Sequence, residues 1–284
     1  HHTIERPEGE PASTLLLMPA WTDFAAQGSS AKGYAGVKVV SVVPDNKLRN
    51  LPSVVGAYLL LSGQSGVPLA LLDGQSLTLW RTAAATALAS SYLSRTDSKR
   101  LLMVGAGSLA PYLIRAHCAV RPIEHILLWN RSEDRARATA TKLGDLAAKV
   151  DVTTDLEGAV RGADIISCAT MSEVPLIEGM WLSEGQHVDL VGAISQNMRE
   201  DDSHAVSKAR VFCDTREGAL KEAGDLAIPL AEGRFSEDDI AGDMFDLCRG
   251  ERAGRRYYNQ ITLFKSVGTA AEDIAVAAHI FARA

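Results

Sequence analysis

Residues 100–110, Arg-Leu-Leu-Met-Val-Gly-Ala-Gly-Ser-Leu-Ala, constrain the fold more than any other stretch of this chain. An apolar run enters a Gly-x-Gly-x-x-Ala turn and leaves it as a helix. Gly105 permits the tight turn, and Gly107 lets a pyrophosphate approach the backbone. Ala110, in place of a third glycine, still allows close packing of helix on sheet. The N–H groups and the partial positive charge of the helix start complete an anion site around Gly105, Gly107, Ser108, Leu109 and Ala110. The motif is weak evidence by itself. Here it has the strand–turn–helix context, and further βα units follow. The strand after it carries Asn130, Arg131 and Ser132 at its end, where an acid would bind the ribose hydroxyls of NAD. Asn130 has no charge to repel a 2′-phosphate and Arg131 can pair with one, so NADPH is the expected cofactor, with NADH as the alternative.

The rest of the chain fits around that unit. Residues 15–18, ended by Pro19, and residues 34–43, ended by Pro44, read as strands. The apolar runs 54–62 and 67–73 flank Gly63-Gln-Ser-Gly66, a hairpin signal. A helix follows over 76–94, which Ser76 can cap. From residue 100 onward strands alternate with helices: strands at 100–105, 125–130, 149–153, 164–169, 187–192 and 210–213, helices to about 120 and at 132–143 and 155–161, and a short one between the last two strands. Such alternation predicts a parallel, doubly wound sheet. Residues 215–255 read as mixed and helical, 260–265 as a strand and 269–283 as a closing helix. The fold class expected is α/β, a Rossmann sheet over 96–259 inserted in a β-rich α+β domain built from 1–95 and 260–284.

Composition narrows the partners. With 46% hydrophobic and 23% charged residues, the chain can bury a core. A net charge of −6 gives no basic field for nucleic acid or an anionic membrane. No run of about 18 apolar residues suggests a membrane span. Cys118, Cys168, Cys213 and Cys248 include no C-x-x-C pair. They read as reduced thiols of a cytoplasmic protein, with no metal site. His117, His125 and His187 read as structural or exposed. The chain starts without Met, at His1-His2, which is either a tag remnant or, as expected here, the mark of missing preceding residues.

Gly36-Val-Lys38-Val-Val, Pro68-Leu-Ala-Leu-Leu-Asp73-Gly, Leu79-Trp-Arg81-Thr82, Val104-Gly-Ala-Gly107, Phe264-Lys-Ser266-Val267-Gly268 and Glu272-Asp273 occur in this order along nearly the whole chain. The set resembles the ornithine cyclodeaminase/mu-crystallin family. The resemblance implies a homodimer whose substrate and dimerisation domain surrounds a Rossmann domain, and members that act on cyclic imino acids, ornithine or 2-oxo acids. It makes Arg81 the group that grips the substrate carboxylate, a role suited to a guanidinium fork. It makes Lys38 the active-site lysine. By period two Lys38 shares a strand face with Val40 and Val42, where desolvation would lower its pKa and make it a usable proton donor. An exposed helix arginine and an edge-strand lysine are the plain alternatives. The family match further places Thr170, Gly192, Ala193 and Ser266 along the cofactor and Val267 against substrate, and expects another substrate arginine at or just before His1.

One departure bears on the reaction. Cyclodeaminases place an aspartate just after the strand that here ends in Val191-Gly192; this chain has Ile194, which is neither acid nor base. Asp201 and Asp202 lie too far along the expected helix to replace it. The resemblance therefore points to ketimine reductases such as Δ1-pyrroline-2-carboxylate reductases, yielding L-proline, or L-pipecolate from the six-membered ring. The alternatives are an alanine-type amino-acid dehydrogenase, an ornithine cyclodeaminase disfavoured by Ile194, and an NADPH-binding protein without turnover.

Overall fold

The computed structural model describes residues 2–23 and 33–284. The additional arginine expected at or before His1 lies outside them. In chain order the elements are β1 (His2–Ile4), β2 (Ser13–Trp21), β3 (Tyr34–Val42), β4 (Val54–Ser62), β5 (Pro68–Asp73), α1 (Gly74–Leu93), β6 (Arg100–Val104), α2 (Ala110–Val120), β7 (His125–Trp129), α3 (Glu133–Thr141), β8 (Lys149–Val152), α4 (Leu156–Gly162), β9 (Ile165–Cys168), β10 (His187–Leu190), α5 (Ser203–Lys208), β11 (Arg210–Cys213), α6 (Arg216–Glu222), α7 (Gly224–Ala231), β12 (Ile240–Asp243), α8 (Met244–Arg249), β13 (Thr262–Lys265) and α9 (Ala270–Phe281). They form two compact units, His1–Thr82 with Thr269–Ala284, and Ala83–Gly268.

The first unit is an antiparallel sheet in the order β1-β2-β3-β4-β5. β4 and β5 are the expected hairpin, and Gly66 takes φ +71° in its turn. Pro19 does not end β2, as the sequence suggested; the strand continues to Trp21. Among the described residues β1 pairs with Ser13–Leu15 alone and Pro19 has a partner on one side, Val37 of β3, and such an edge tolerates a proline. α1 starts two residues early because Asp73 Oδ1, not Ser76, caps it by accepting from Ser76 N at 2.7 Å. α9 packs on β2, β3 and β4, and Tyr58, Leu60, Leu77, Ile274 and Ala277 form the core between helices and sheet.

The second unit is a parallel sheet in the order β12-β11-β13-β10-β9-β6-β7-β8. Leu101 and Met103 of β6 enter one apolar cluster while Leu102 and Val104 enter another, so both faces of the sheet are covered. The chain runs outward from β6 through β7 to β8, then returns to β9 and builds in the other direction. Its topological switch point therefore lies between β6 and β9, where ligands bind in open parallel sheets.

The strand expected at 260–265 does not return to the first unit. As β13 it fills the slot between β10 and β11, and all four of its residues are buried. The C-terminal half of α1 also clusters with the second unit, through Ala83, Ala89 and Leu93. The divisions thus fall at Thr82/Ala83 and Gly268/Thr269, not at 95/96 and 259/260. The mixed stretch 215–255 further contains a short strand, β12, at the sheet edge.

Candidate functional site

In the first unit the burial of β3 alternates, with Gly36, Lys38 and Val40 inward and Val39 outward. β3 is the middle strand, so Lys38 is not an edge residue; it is 3% exposed. Its Nζ donates to Asp273 Oδ1 at 3.0 Å. Arg81, 8% exposed, donates from Nη1 to Glu272 Oε2 at 2.9 Å and holds Nε 3.4 Å from Asp273 Oδ1. Two adjacent acids at the start of α9, itself capped by Thr269 accepting from Glu272 N, thus hold two buried cations. Burial lowers the Lys38 pKa, Asp273 opposes that, and Arg81 adds to it. A lysine held in this way is a better proton donor at neutral pH than a solvated one. Tyr58, directly across the ladder from Lys38, is wholly buried, and its hydroxyl is pushed up to about 12 by burial and then by Asp273. A Cβ at Gly36 would stand 2.3 Å from the Tyr58 hydroxyl oxygen, so Gly36 makes room for that ring. Glu272 and Asp273 appeared in the sequence only as matching residues and Tyr58 not at all, although the hairpin register places it opposite Lys38.

In the second unit the glycine turn has the shape a pyrophosphate requires. Gly105 takes φ +105°, and a Cβ there would lie 2.6 Å from Ala169 O. A Cβ at Gly107 would meet nothing within 4 Å, which leaves an open cradle. Gly107 and Ser108 are exposed, and among the described residues the amides of Gly107, Ser108 and Leu109 carry no hydrogen bond. Ala110 is wholly buried against the sheet. Asn130 Oδ1 accepts from Ala106 N at 3.2 Å and Asn130 Nδ2 donates to Ser132 O at 2.9 Å, so Asn130 joins the turn to the end of β7. Arg131 and Ser132 are exposed beside it; Ser132 occupies the N-cap position of α3 without making the side-chain bond. These groups fit a dinucleotide.

The ends of β9, β10 and β13 carry the remaining expected residues. Thr170, Gly192 and Val267 are partly accessible. Ala193 and Ser266, expected beside them along the cofactor, are buried, at 0% and 1%. Sequence reasoning missed the acids that shape this rim. Asp214 Oδ2 accepts from Ser266 Oγ at 3.2 Å, Val267 N at 2.7 Å and Gly268 N at 2.6 Å. Glu200, wholly buried, accepts from Thr170 and Gly192. Burial and then Asp225 push the Glu200 carboxyl up to about 7, against Lys265 and the bonds from Gly192 and Thr170. The position just after the C-terminal end of a parallel strand was a usable signal for Asp214. Ile194 lies in the loop after β10 and is 56% exposed. The next acid along the chain is the engaged Glu200. Asp202 caps α5, which starts only at Ser203, and Asp201 is wholly buried, so neither replaces a carboxylate at Ile194. His117, His125 and His187 are hydrogen-bonded to Asp189, Asp151 and Thr262.

Residues 8–284 match the model of the ornithine cyclodeaminase/mu-crystallin family. A Delta(1)-pyrroline-2-carboxylate reductase of Colwellia psychrerythraea is 39% identical over 281 residues, covering 98% of this chain and 86% of the relative. The Thermococcus litoralis Delta(1)-pyrroline-2-carboxylate reductase, solved with NADH and L-proline, superposes with TM-score 0.83 at 33% identity over 95% of this chain and 87% of that one. An archaeal alanine dehydrogenase dimer with bound NAD gives TM-score 0.83 at 27% identity over 95% and 85%. The chain belongs to the ornithine cyclodeaminase/mu-crystallin family.

Proposed function

We propose that the protein is a ketimine reductase that uses NADPH to reduce a cyclic imino acid, Δ1-pyrroline-2-carboxylate to L-proline, with the six-membered homologue to L-pipecolate as a related substrate. The observation that carries this reading is the buried pair of cations, Lys38 and Arg81, held by Glu272 and Asp273. The absence of an acid at Ile194 favours imine reduction over cyclodeamination, and the relatives named as pyrroline-2-carboxylate reductases agree. Arg81 holds the substrate carboxylate by its fork. Lys38 gives a proton to the imine nitrogen, directly or through water, which makes the C=N carbon a better electrophile. Asp273 keeps the lysine oriented and its charge partly compensated. A reduced nicotinamide, when bound, supplies the hydride to that carbon. Stoichiometric appearance of L-proline with cofactor oxidation, read by chiral chromatography, tests the reaction. Racemic proline, or none, would contradict it.

The choice of NADPH rests on Arg131, exposed beside Asn130, with no acid at Asn130 to bind a 2′-hydroxyl. Arg131→Ala is expected to raise the KM for NADPH about tenfold, the loss of one charge-assisted hydrogen bond, and to leave that for NADH unchanged. Equal losses for both cofactors would remove the argument.

The reading includes a homodimer. Pro19, Val37, Leu59 and Leu71 form one cross-strand row on the sheet face opposite Lys38, and Leu17, Val39, Val55 and Leu71 of that face are exposed at 36–74%. A contiguous apolar sheet face of this kind is expected to be covered, here by a second copy of the chain. Light scattering should give twice the 30.4 kDa chain mass; a monomer at micromolar concentration would overturn this.

A further inference from the structure

Glu200 sits where the ends of three adjacent strands meet. Its Oε1 accepts from Thr170 N at 2.6 Å and Thr170 Oγ1 at 2.8 Å, just past β9. Its Oε2 accepts from Gly192 N at 2.7 Å, just past β10. Its own amide donates to Asp225 Oδ1 at 2.6 Å, and Asp225 Oδ2 lies 2.8 Å from Lys265 Nζ, the last residue of β13. Its carbonyl accepts from Leu176 N and Ile177 N, both at 2.9 Å. Glu200, Asp225 and Lys265 are all wholly buried. β13, β10 and β9 are neighbours in the sheet, in that order. Gly192 and Thr170 approach so closely that a Cβ at Gly192 would lie 2.0 Å from Thr170 O and 2.6 Å from Glu200 Oε1.

A buried set of two carboxylates and one ammonium is a poor way to stabilise a core, since apolar residues of the same volume often do as well or better. Its placement suggests another purpose. A dinucleotide lies across the switch point of such a sheet, one nucleotide half on each side. The β6–β7 side carries Gly105, Gly107, Asn130 and Arg131, which suit the pyrophosphate and the adenosine half. The β9–β10–β13 side is left for the nicotinamide half, and its rim residues Thr170 and Gly192 are the two that Glu200 holds.

We propose that Glu200 is a positioning residue for the nicotinamide half of the cofactor, fixing the rim at Thr170 and Gly192 through its three hydrogen bonds while Lys265, through Asp225, supplies the counter-charge. This rests on the dinucleotide reading of the site. In its ionised form the carboxylate suits the task, because both its oxygens are then acceptors and the three groups bonded to them are donors. An amide of the same shape turns one acceptor into a donor, which meets either Gly192 N–H or the two Thr170 donors.

The test compares Glu200→Gln with the unaltered protein in titrations with the reduced dinucleotide it binds more tightly and with ADP-ribose, which lacks the nicotinamide. The expected result is a dinucleotide Kd raised about tenfold, in line with one lost charge-assisted hydrogen bond, with the ADP-ribose Kd unchanged within about twofold. In steady state kcat should fall while the KM for the imino acid holds. Equal weakening of both ligands would show a general structural role and overturn the proposal, as would unchanged binding of both. If the unaltered protein binds neither ligand, the dinucleotide reading itself fails. If Glu200→Gln does not fold, Thr170→Val, which removes only the hydroxyl donor, is read in the same way. It should weaken the dinucleotide about threefold and spare ADP-ribose, and no difference between the two ligands would again overturn the proposal.

Discussion

Lys38→Met is expected to lower turnover of the cyclic imine by about 10²–10⁴-fold, the usual contribution of a positioned proton donor, while dinucleotide binding is unchanged. Lys38 belongs to the first compact unit and the glycine turn to the second. Methionine reproduces the unbranched stem as far as Cε, with sulfur in place of one methylene, and lacks the ammonium. Asp273 then loses its 3.0 Å partner but keeps Arg81 Nε at 3.4 Å, so the carboxylate is not left isolated and the fold should survive with a reduced Tm. The pH profile provides a second check. A lysine donates only in its charged form, so activity is present below its folded pKa and is lost as pH rises through it. Burial places that pKa below the ordinary value of 10.5, and Arg81 adds to the shift against Asp273. The basic limb of kcat/KM should therefore fall at a pH below 10.5. Near-normal turnover by Lys38→Met, measured by cofactor oxidation, would remove Lys38 from the mechanism.

Arg81→Lys is expected to raise the KM for the imino acid about 100-fold and to leave the dinucleotide Kd unchanged. The charge is kept, so the loss measures the planar fork, whose second bond to a carboxylate is worth about 2–3 kcal/mol where water is excluded. Glu272 accepts from Nη1 of Arg81 and Asp273 Oδ1 is paired with Nε at 3.4 Å without a hydrogen bond, and among the described residues Nη2 makes none either. That nitrogen and the second Nη1 hydrogen remain for a ligand carboxylate. Lysine has three donors on one nitrogen, too few for a two-point contact with a substrate carboxylate beside Glu272 and Asp273. Kinetics at varied imino acid concentration decides it. A KM within about threefold of the original would place the carboxylate elsewhere.

Much of the architecture was legible because it is local. The Gly105–Ala110 turn, the hairpin around Gly66 and the alternation of βα units each follow from residues close in sequence. The slot of β13 was not, because a short apolar strand does not encode which neighbours it takes. Only the return of the chain after α8 puts it between β10 and β11. Pro19 misled because whether a proline breaks a strand depends on whether a partner lies on its open side. In the site, Lys38 and Arg81 could be found from the sequence, through an unusual lysine on an apolar strand face and the family motifs. Glu272 and Asp273 entered only as family motif residues, Asp214 had only its place just after a parallel strand as a signal, and Glu200 and Asp225 had none. Glu200, Asp214, Asp225 and Asp273 look like ordinary surface carboxylates until the fold buries them. Lys265 hides in an apolar run for the same reason.

The central claim is imine reduction, and the most direct measurement is loss of NADPH absorbance with Δ1-pyrroline-2-carboxylate, run beside NADH and beside pyruvate plus ammonia. Rapid oxidation with the cyclic imine, faster with NADPH than with NADH and absent with pyruvate and ammonia, is the predicted result. Activity only with pyruvate and ammonia would contradict it in favour of an alanine-type dehydrogenase, and binding without oxidation in any mixture would contradict it in favour of a protein that holds the dinucleotide without turning it over.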